Sequence, residues 1–333
     1  MTNSALNTSR INRRTLLGAL AAAPALLPRR AWSQDKYPSR PIKVVVPFGA
    51  GGVADITVRL VTEKLGDLLG QRFVIENVPG AGGTLAAQRV LQAPADGYTL
   101  ALFSNGTAVS VGLFKALPFD PVKDFVPIST LGVFDFILAT NQATGFHKLE
   151  DFLAAARAKP GALNIGTVVV GSTQQLSAVL LNMVADIKTE VVTFRTTPEV
   201  IVSLLRNDVQ LAIDSYASLK SALAEKTVIA LATSGAKQSL VLPDVPPAAA
   251  AGVPGFDAPS WNALFARAGT PREALDILGK GLHEVLAQPE IRARLLELGI
   301  EATPSTPAEL SERLSRDIRR WTDVIDRAGI AKQ

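Results

Sequence analysis

From residue 42 onward, short apolar runs of strand length alternate with stretches in which apolar residues recur every three or four positions. Residues 42–47, 73–76 and 99–103 read as strands, with helices at 56–69 and 84–91 between them. Pro94 and Gly97 punctuate the return to the third strand. This β-α-β-α-β order predicts a parallel sheet covered by helices. After an apolar run at 133–141 the pattern restarts: helix 149–158, strand 163–167, helix 173–183, strand 191–194, helix 197–206, then strands 209–213 and 228–233. A Pro- and Ala-rich stretch at 242–259 leads to an apolar strand, 261–266, and to helices at 271–287, 291–298 and 307–328. The expectation is two α/β lobes, 34–137 plus 256–333 and 138–255, crossed near 138–141 and around the Pro-rich return. Trp321, beside Val324 and Ile325 on the last helix, reads as core packing.

Composition and charge narrow the function classes. The 333 residues are 47% apolar and 19% charged, which indicates folded cores. Lys plus Arg exceed Asp plus Glu by 34 to 30, but Arg10, Arg13, Arg14, Arg29 and Arg30 lie within the first 33 residues, where no acid occurs. Without those five, 29 basic residues face 30 acidic ones, so a nucleic-acid binder with a basic face is not expected. The apolar stretch 16–27 is too short to span about 30 Å of hydrocarbon and reads as the core of a cleavable signal. It lacks the polar face of an amphipathic helix. Arg13-Arg14 followed by Thr15-Leu16-Leu17 fits a twin-arginine export signal. Small Ala31 and Ser33 place cleavage after Ser33, giving a signal peptide over 1–33 and a periplasmic mature chain. Cysteine is absent, and His147 and His283 are the two histidines, so disulfides, thiolate chemistry and multi-histidine metal sites find no basis.

Two glycine loops carry the candidate chemistry. Pro47-Phe48-Gly49-Ala50-Gly51-Gly52-Val53-Ala54-Asp55 lies between a strand and a helix, where bare backbone N–H groups and the helix N-terminus favour an anion. Gly49, Gly51 and Ala54 also fit a G-x-G-x-x-A dinucleotide fingerprint, with Glu76 placed as an acidic ribose partner. A second loop, Asn77-Val78-Pro79-Gly80-Ala81-Gly82-Gly83-Thr84, follows the next strand. Two such loops at neighbouring strand ends form a two-walled cup of donors for a small anion better than a single phosphate loop; tight turns without a ligand would need fewer glycines. Ser104-Asn105-Gly106-Thr107 is a third candidate wall, or a helix cap. From the second half come Gly171-Ser172-Thr173 at a helix start and Arg195, either a bidentate carboxylate clamp or a solvated surface arginine. Asp214 and Val169 complete the candidate ligand contacts.

The motifs together resemble the Bug family, the periplasmic solute receptors of tripartite tricarboxylate transporters. The likeness covers the mature chain through Tyr37-Pro38-Ser39-Arg40-Pro41-Ile42, the P-F-x-x-G-G-x-x-D loop ending at Asp55, and the E-N-x-P-G-A-G-G loop from Glu76. Ala95-Asp96-Gly97-Tyr98-Thr99-Leu100, Leu242-Pro243-Asp244-Val245-Pro246, Ala268-Gly269-Thr270-Pro271, Thr306-Pro307-Ala308-Glu309 and the segment 321–330 extend it. The resemblance implies a two-lobed α/β periplasmic-binding-protein fold of type II kind, each lobe a mixed, mainly parallel sheet flanked by helices, with the ligand in the interlobe cleft. It further implies that loops 48–55 and 77–84 pinch one carboxylate and that Asp55 faces the ligand. The chain departs from the family pattern at Val168-Val169-Val170 and Gln175, where small residues and a His are common, and at Thr196-Thr197, where a Gly-Gly pair is common.

The reading is a monomeric receptor, not an enzyme, without cofactor or metal. It would capture a small organic carboxylate by lobe closure and deliver it to a membrane transporter, or signal to a membrane sensor. The alternative is an exported NAD(P)-dependent oxidoreductase built on the first loop and Glu76. If the three valines face the crevice, they favour a mono- or dicarboxylate with an apolar or aromatic body over a tricarboxylate; if they turn inward, they pack the lobe.

Overall fold

A computed structural model describes Met1 and residues 36–333, and the leader features read above, including the cleavage site at Ser33, lie outside the described residues. The first sheet begins with β1 (Ile42–Val46), whose Val44, Val45 and Val46 are all buried, as a central parallel strand requires. Helix α1 (Val53–Leu69) turns Val58, Val61 and Leu65 inward and stops at Gly70, which takes the left-handed conformation. Strand β2 (Phe73–Asn77), helix α2 (Thr84–Leu91) and strand β3 (Thr99–Ser104) follow; β2 and β3 both pair with β1 in parallel. Helix α3 (Asn105–Leu113) and the long strand β4 (Phe125–Phe134) come next.

Strand β5 (Phe136–Asn141) opens the second sheet. It is followed by α4 (Leu149–Ala158), β6 (Asn164–Val168), α5 (Thr173–Val184), β7 (Glu190–Phe194), α6 (Thr197–Leu205), β8 (Leu211–Ser215), α7 (Tyr216–Ala224) and β9 (Val228–Thr233). The chain then returns to the first sheet as β10 (Ser260–Arg267), α8 (Arg272–Ala287), α9 (Pro289–Leu296), β11 (Ile300–Ala302) and α10 (Pro307–Arg327). The strand orders are β11-β4-β10-β3-β1-β2 and β7-β6-β8-β5-β9. Three parallel strands in the order second-first-third, then an antiparallel strand, occur in both. This likeness has no counterpart in a readable sequence repeat.

The passage between sheets falls at Asp135 and not at 138–141, where β5 is already paired with β8 and β9. Buried Ser234 ties this passage to the return. Its hydroxyl accepts from Phe136 N (2.8 Å) and donates to Ala258 O (3.0 Å), while its backbone N–H donates to Phe136 O (2.9 Å) and its carbonyl accepts from Ala258 N (2.7 Å). Four further features depart from the pattern-based expectation. The run 133–141, read as one apolar stretch, is the end of β4 and all of β5, because the chain changes sheets between them. Helices α3 and α7 were not foreseen; α3 is buried on nearly every side, so no apolar stripe marks it. The short β11, which pairs with β4, was also unforeseen.

Trp321 on α10 is fully buried, as its apolar neighbours suggested. That helix starts at a capping box: Thr306 Oγ1 accepts from Glu309 N (3.2 Å), and Glu309 Oε2 accepts from Thr306 N (2.8 Å). The motifs at 37–42 and 95–100 pack on one another. Tyr37 donates to Gly97 O (2.7 Å), Ser39 N donates to Tyr98 Oη (2.9 Å), and Arg40 pairs with Asp96 at 2.8 Å. They hold β3 against the start of the chain and supply no candidate ligand contact.

Candidate functional site

The loops that follow β1, β2 and β3 leave the first sheet at its carboxyl edge, where ligands of open α/β sheets bind. Those after β6, β7 and β8 do the same in the second sheet. In the first loop Gly49, Ala50 and Gly51 are exposed, and Gly51 has φ +82°. Helix α1 has no side-chain cap at Gly52, so its first N–H groups are left for water or a ligand. Helices α2 and α6, whose N-caps are Gly83 and Thr196, also lack a side-chain cap. By contrast, Ser104, Ser172 and Ser215 cap α3, α5 and α7. Among the six helices that follow these strands, the uncapped ends are those of the two glycine loops and of the Arg195 loop.

Asp55 is buried and its carboxylate belongs to the loop. Oδ2 accepts from Gly51 N (2.9 Å); Oδ1 accepts from Arg59 Nε (2.9 Å) and Asn77 Nδ2 (3.0 Å). Burial alone would raise its pKa, but the hydrogen bonds from Arg59, Gly51 and Asn77 and the Arg59 charge outweigh it and hold the carboxyl below its ordinary range. These partners give Asp55 a task in positioning the loop. Asn77 was quoted as part of a motif but not as a site residue. It also donates to Phe48 O (3.0 Å) and accepts from Arg59 (3.1 Å), joining the two glycine loops.

In the second loop, Gly80, Gly82 and Gly83 all have positive φ, and Ala81 lies in the turn between them. A side chain at Gly82 would place its Cβ 2.6 Å from the Phe114 ring. Ser110 Oγ donates to Gly82 O at 2.6 Å, fastening this loop to α3. Of the third wall, Ser104 is a cap: its Oγ accepts from Gly106 N at 3.1 Å. Asn105 is buried, donating to Pro259 O (3.2 Å) and accepting from Trp321 Nε1 (2.8 Å). Its amide holds the return strand and α10.

Gly106 marks where the loops converge. A Cβ built on it would lie 3.8 Å from the Phe48 ring and 3.9 Å from Gly171 O, so the first loop and the second sheet's β6–α5 loop meet over this residue. Gly171 (φ +82°) also faces Leu113 of α3. Its N–H donates to Gln175 Oε1 at 2.7 Å, so the Gln at the family's usual His position braces the loop. Ser172 accepts from Gln175 N (3.2 Å) and donates to Val168 O. Val169 and Val170 are exposed and Val168 is half-buried. The reading in which these valines pack inward holds only for Val168, which joins the small core of Val200, Leu204 and Val209.

Arg195 follows β7 and is exposed; its backbone N–H donates to Glu199 Oε2 (3.1 Å), and its guanidinium has no partner among the described residues. Asp214 is fully buried at the end of β8, accepting from Thr197 Oγ1 (2.7 Å) and Ser215 N (2.7 Å). Burial raises its pKa in spite of those bonds. Thr197, at the family's usual second glycine, thus fastens α6 to β8, and Asp214 is absorbed in that contact. Glu76 is held by Lys43 at 2.7 Å and Arg89 at 3.1 Å. With one oxygen on each cation, it is not placed to receive a ribose, which removes the second half of the dinucleotide fingerprint.

The comparisons with known proteins agree with this geometry. The family described as tripartite tricarboxylate transporter family receptor matches residues 57–330. A UPF0065 protein from the tcbD-tcbE intergenic region of Pseudomonas sp. (strain P51) is 32% identical over 95% of this chain and 94% of its own length. The structure of Rhodopseudomonas palustris MatC (Rpa3494) with bound malate is 34% identical, with a TM-score of 0.80 over 87% of this chain and 100% of that one. The structure of R. palustris Rpa4515 with adipate is 30% identical, with a TM-score of 0.83 over 89% and 99%. The fold is therefore the two-lobed α/β fold of the periplasmic binding proteins. The chain belongs to the tripartite tricarboxylate transporter family of receptors.

Proposed function

We propose that this receptor captures a small organic carboxylate in the cleft between its two sheets and hands it to the membrane components of a tripartite tricarboxylate transporter. The observation that carries this reading is the meeting of Phe48, Gly106 and Gly171 beside the exposed loop 49–51 and the uncapped N-terminus of α1. One wall supplies N–H donors and the positive end of a helix, which suit a carboxylate and do not by themselves perform a reaction. The facing wall supplies Val169, Val170 and the free guanidinium of Arg195. Four or five charge-assisted hydrogen bonds at about 1.5–3 kcal/mol each, less several kcal/mol of association cost, reach the roughly 8 kcal/mol of micromolar binding. The lobes divide at Asp135 and within 234–259, laced by Ser234, and close about that line.

Two relatives are structures with malate and with adipate, both dicarboxylates. The exposed valines favour an acid with an apolar body, since a citrate-like ligand would leave polar groups unpaired at about 1–3 kcal/mol each. The same reading places the mature chain in the periplasm as a monomer after export by the twin-arginine route and cleavage near Ser33. A thermal-shift screen with aliphatic diacids, aromatic acids, citrate and nicotinamide dinucleotides tests it. Diacids or aromatic acids are expected to give the largest stabilisation. Citrate ranking first overturns the ligand preference, and a dinucleotide ranking first overturns the receptor reading.

A further inference from the structure

The return from the second sheet passes beneath the last helix, and between them lies a cavity of about 200 Å3 bordered by Val133, Asp257, Pro259 and Trp261. Its other side is the charged face of α10. Arg313, Arg316 and Arg320 stand at i, i+3 and i+7 on that helix, so all three line the cavity from one face. None of the three guanidinium groups donates a hydrogen bond among the described residues. Two of them make long ion pairs: Arg316 Nε is 3.7 Å from Asp317 Oδ1, and Arg320 is 4.0 Å from Asp257 Oδ2. Arg313 has no ion pair at all among the described residues. Asp317 spends its other oxygen on Trp261 Nε1 at 2.7 Å. Three cations against two carboxylates leave the lining with an excess positive charge. Burial, and the charge of Arg316, depress the Arg313 guanidinium despite the attraction of Asp317.

We propose that this cavity is a second binding site, for a small oxyanion of phosphate or sulfate size. Planar guanidinium forks with no hydrogen-bond partner among the described residues match oxyanions bidentately, and an anion would neutralise the excess charge. The volume suffices, because a cavity of about 150 Å3 already admits a benzene ring. The site is separate from the carboxylate cleft. No residue of the loops at 48–55, 80–83 or 169–172 lines it, and the one shared residue, Asn105, has its amide committed to Pro259 and Trp321.

Trp261 lines the cavity and Trp321 neighbours Arg320, so tryptophan fluorescence reports on it directly. The protein is titrated with inorganic phosphate and with sulfate at constant ionic strength, with chloride as control. A saturable fluorescence change is expected for phosphate or sulfate and not for chloride, weakened at least tenfold in Arg313→Gln and retained in Gly51→Val. Arg316→Gln, at a more exposed position, is expected to show the same loss, and it carries the test if Arg313→Gln does not fold. A response that fails to saturate, that chloride reproduces, or that Gly51→Val abolishes while the arginine variants keep it overturns the proposal.

Discussion

At the scale of single residues, the glycine loops make the sharpest demands. Gly51 needs φ +82° and has open space around its α-carbon, so the obstacle to a side chain there is the backbone and not a clash. A β-branched residue in that conformation costs about 1–3 kcal/mol. Gly51→Val is expected to abolish carboxylate binding by calorimetry while the chain still folds, because the loop must move to relieve the strain. Asp55 acts on the same loop by accepting from Gly51 N. Asp55→Ala strands the Gly51 N–H and Arg59, and is expected to lower stability by about 1–3 kcal/mol and to weaken binding as well. Retained affinity in that variant would show that the loop holds its shape without the carboxylate. Arg195→Ala is expected to weaken carboxylate binding ten- to a hundredfold, since closure would desolvate its unpaired charge; an unchanged affinity would mark it as a solvated arginine. The glycines and the P-F-x-x-G-G-x-x-D motif were legible from spacing because positive φ and bare N–H groups demand glycine. The tasks of Asp55, Asn105 and Asp214 were not. A buried carboxylate or amide committed to protein donors carries the same letter as one aimed at a ligand, and only the partners distinguish them.

At the scale of elements, the crossing between sheets carries a titratable group. The Asp135 carboxylate rests against the α-carbon of Gly235 on the other crossing, so an added Cβ there would collide with it. Burial, with Asp257 and Glu301 facing it, pushes its pKa from the ordinary 3.8 up to about 6; Arg320 lies on the far side of Asp257. A raised carboxyl favours the folded state while protonated, so its contribution is complete below about pH 4 and is lost as the pH rises through about 6. The difference amounts to roughly 3 kcal/mol. Asp135→Asn is therefore expected to unfold at higher temperature than the parent at pH 8 and to flatten the fall in stability between pH 4 and 7. A parallel pH profile in both proteins would show that Asp135 ionises without cost. This passage was hidden in the sequence because 133–139 is one apolar run apart from Asp135 itself. Helix α3 was hidden for the opposite reason to a surface helix: with nearly every residue buried, apolar and small residues surround its axis and no period emerges. Strand β1 and helices α1 and α10 were readable because each has one face in the core and one in water, or two faces in the core.

At the scale of the whole molecule, the repeated strand order explains why each sheet carries three loops at one edge. Both sheets run second-first-third across their parallel strands, so each delivers three carboxyl-end loops to one edge. The restart of the β-α-β pattern made that architecture visible in advance, and the chain returns to the first sheet between β9 and β10. The ligand is less legible, since it depends on side chains at 168–175 and 195–197, where this chain departs from its family's usual residues. The central claim is that a carboxylate lies between the sheets, held by N–H groups of the first sheet's loops. The most direct measurement is a crystal structure of the protein with a saturating aliphatic diacid. The account predicts one carboxylate within hydrogen-bond distance of N–H groups in 49–52 and 80–83, with the body of the acid toward Val169 and Arg195. A diacid bound only in the arginine-lined cavity beneath α10, or absent from the cleft altogether, would contradict it.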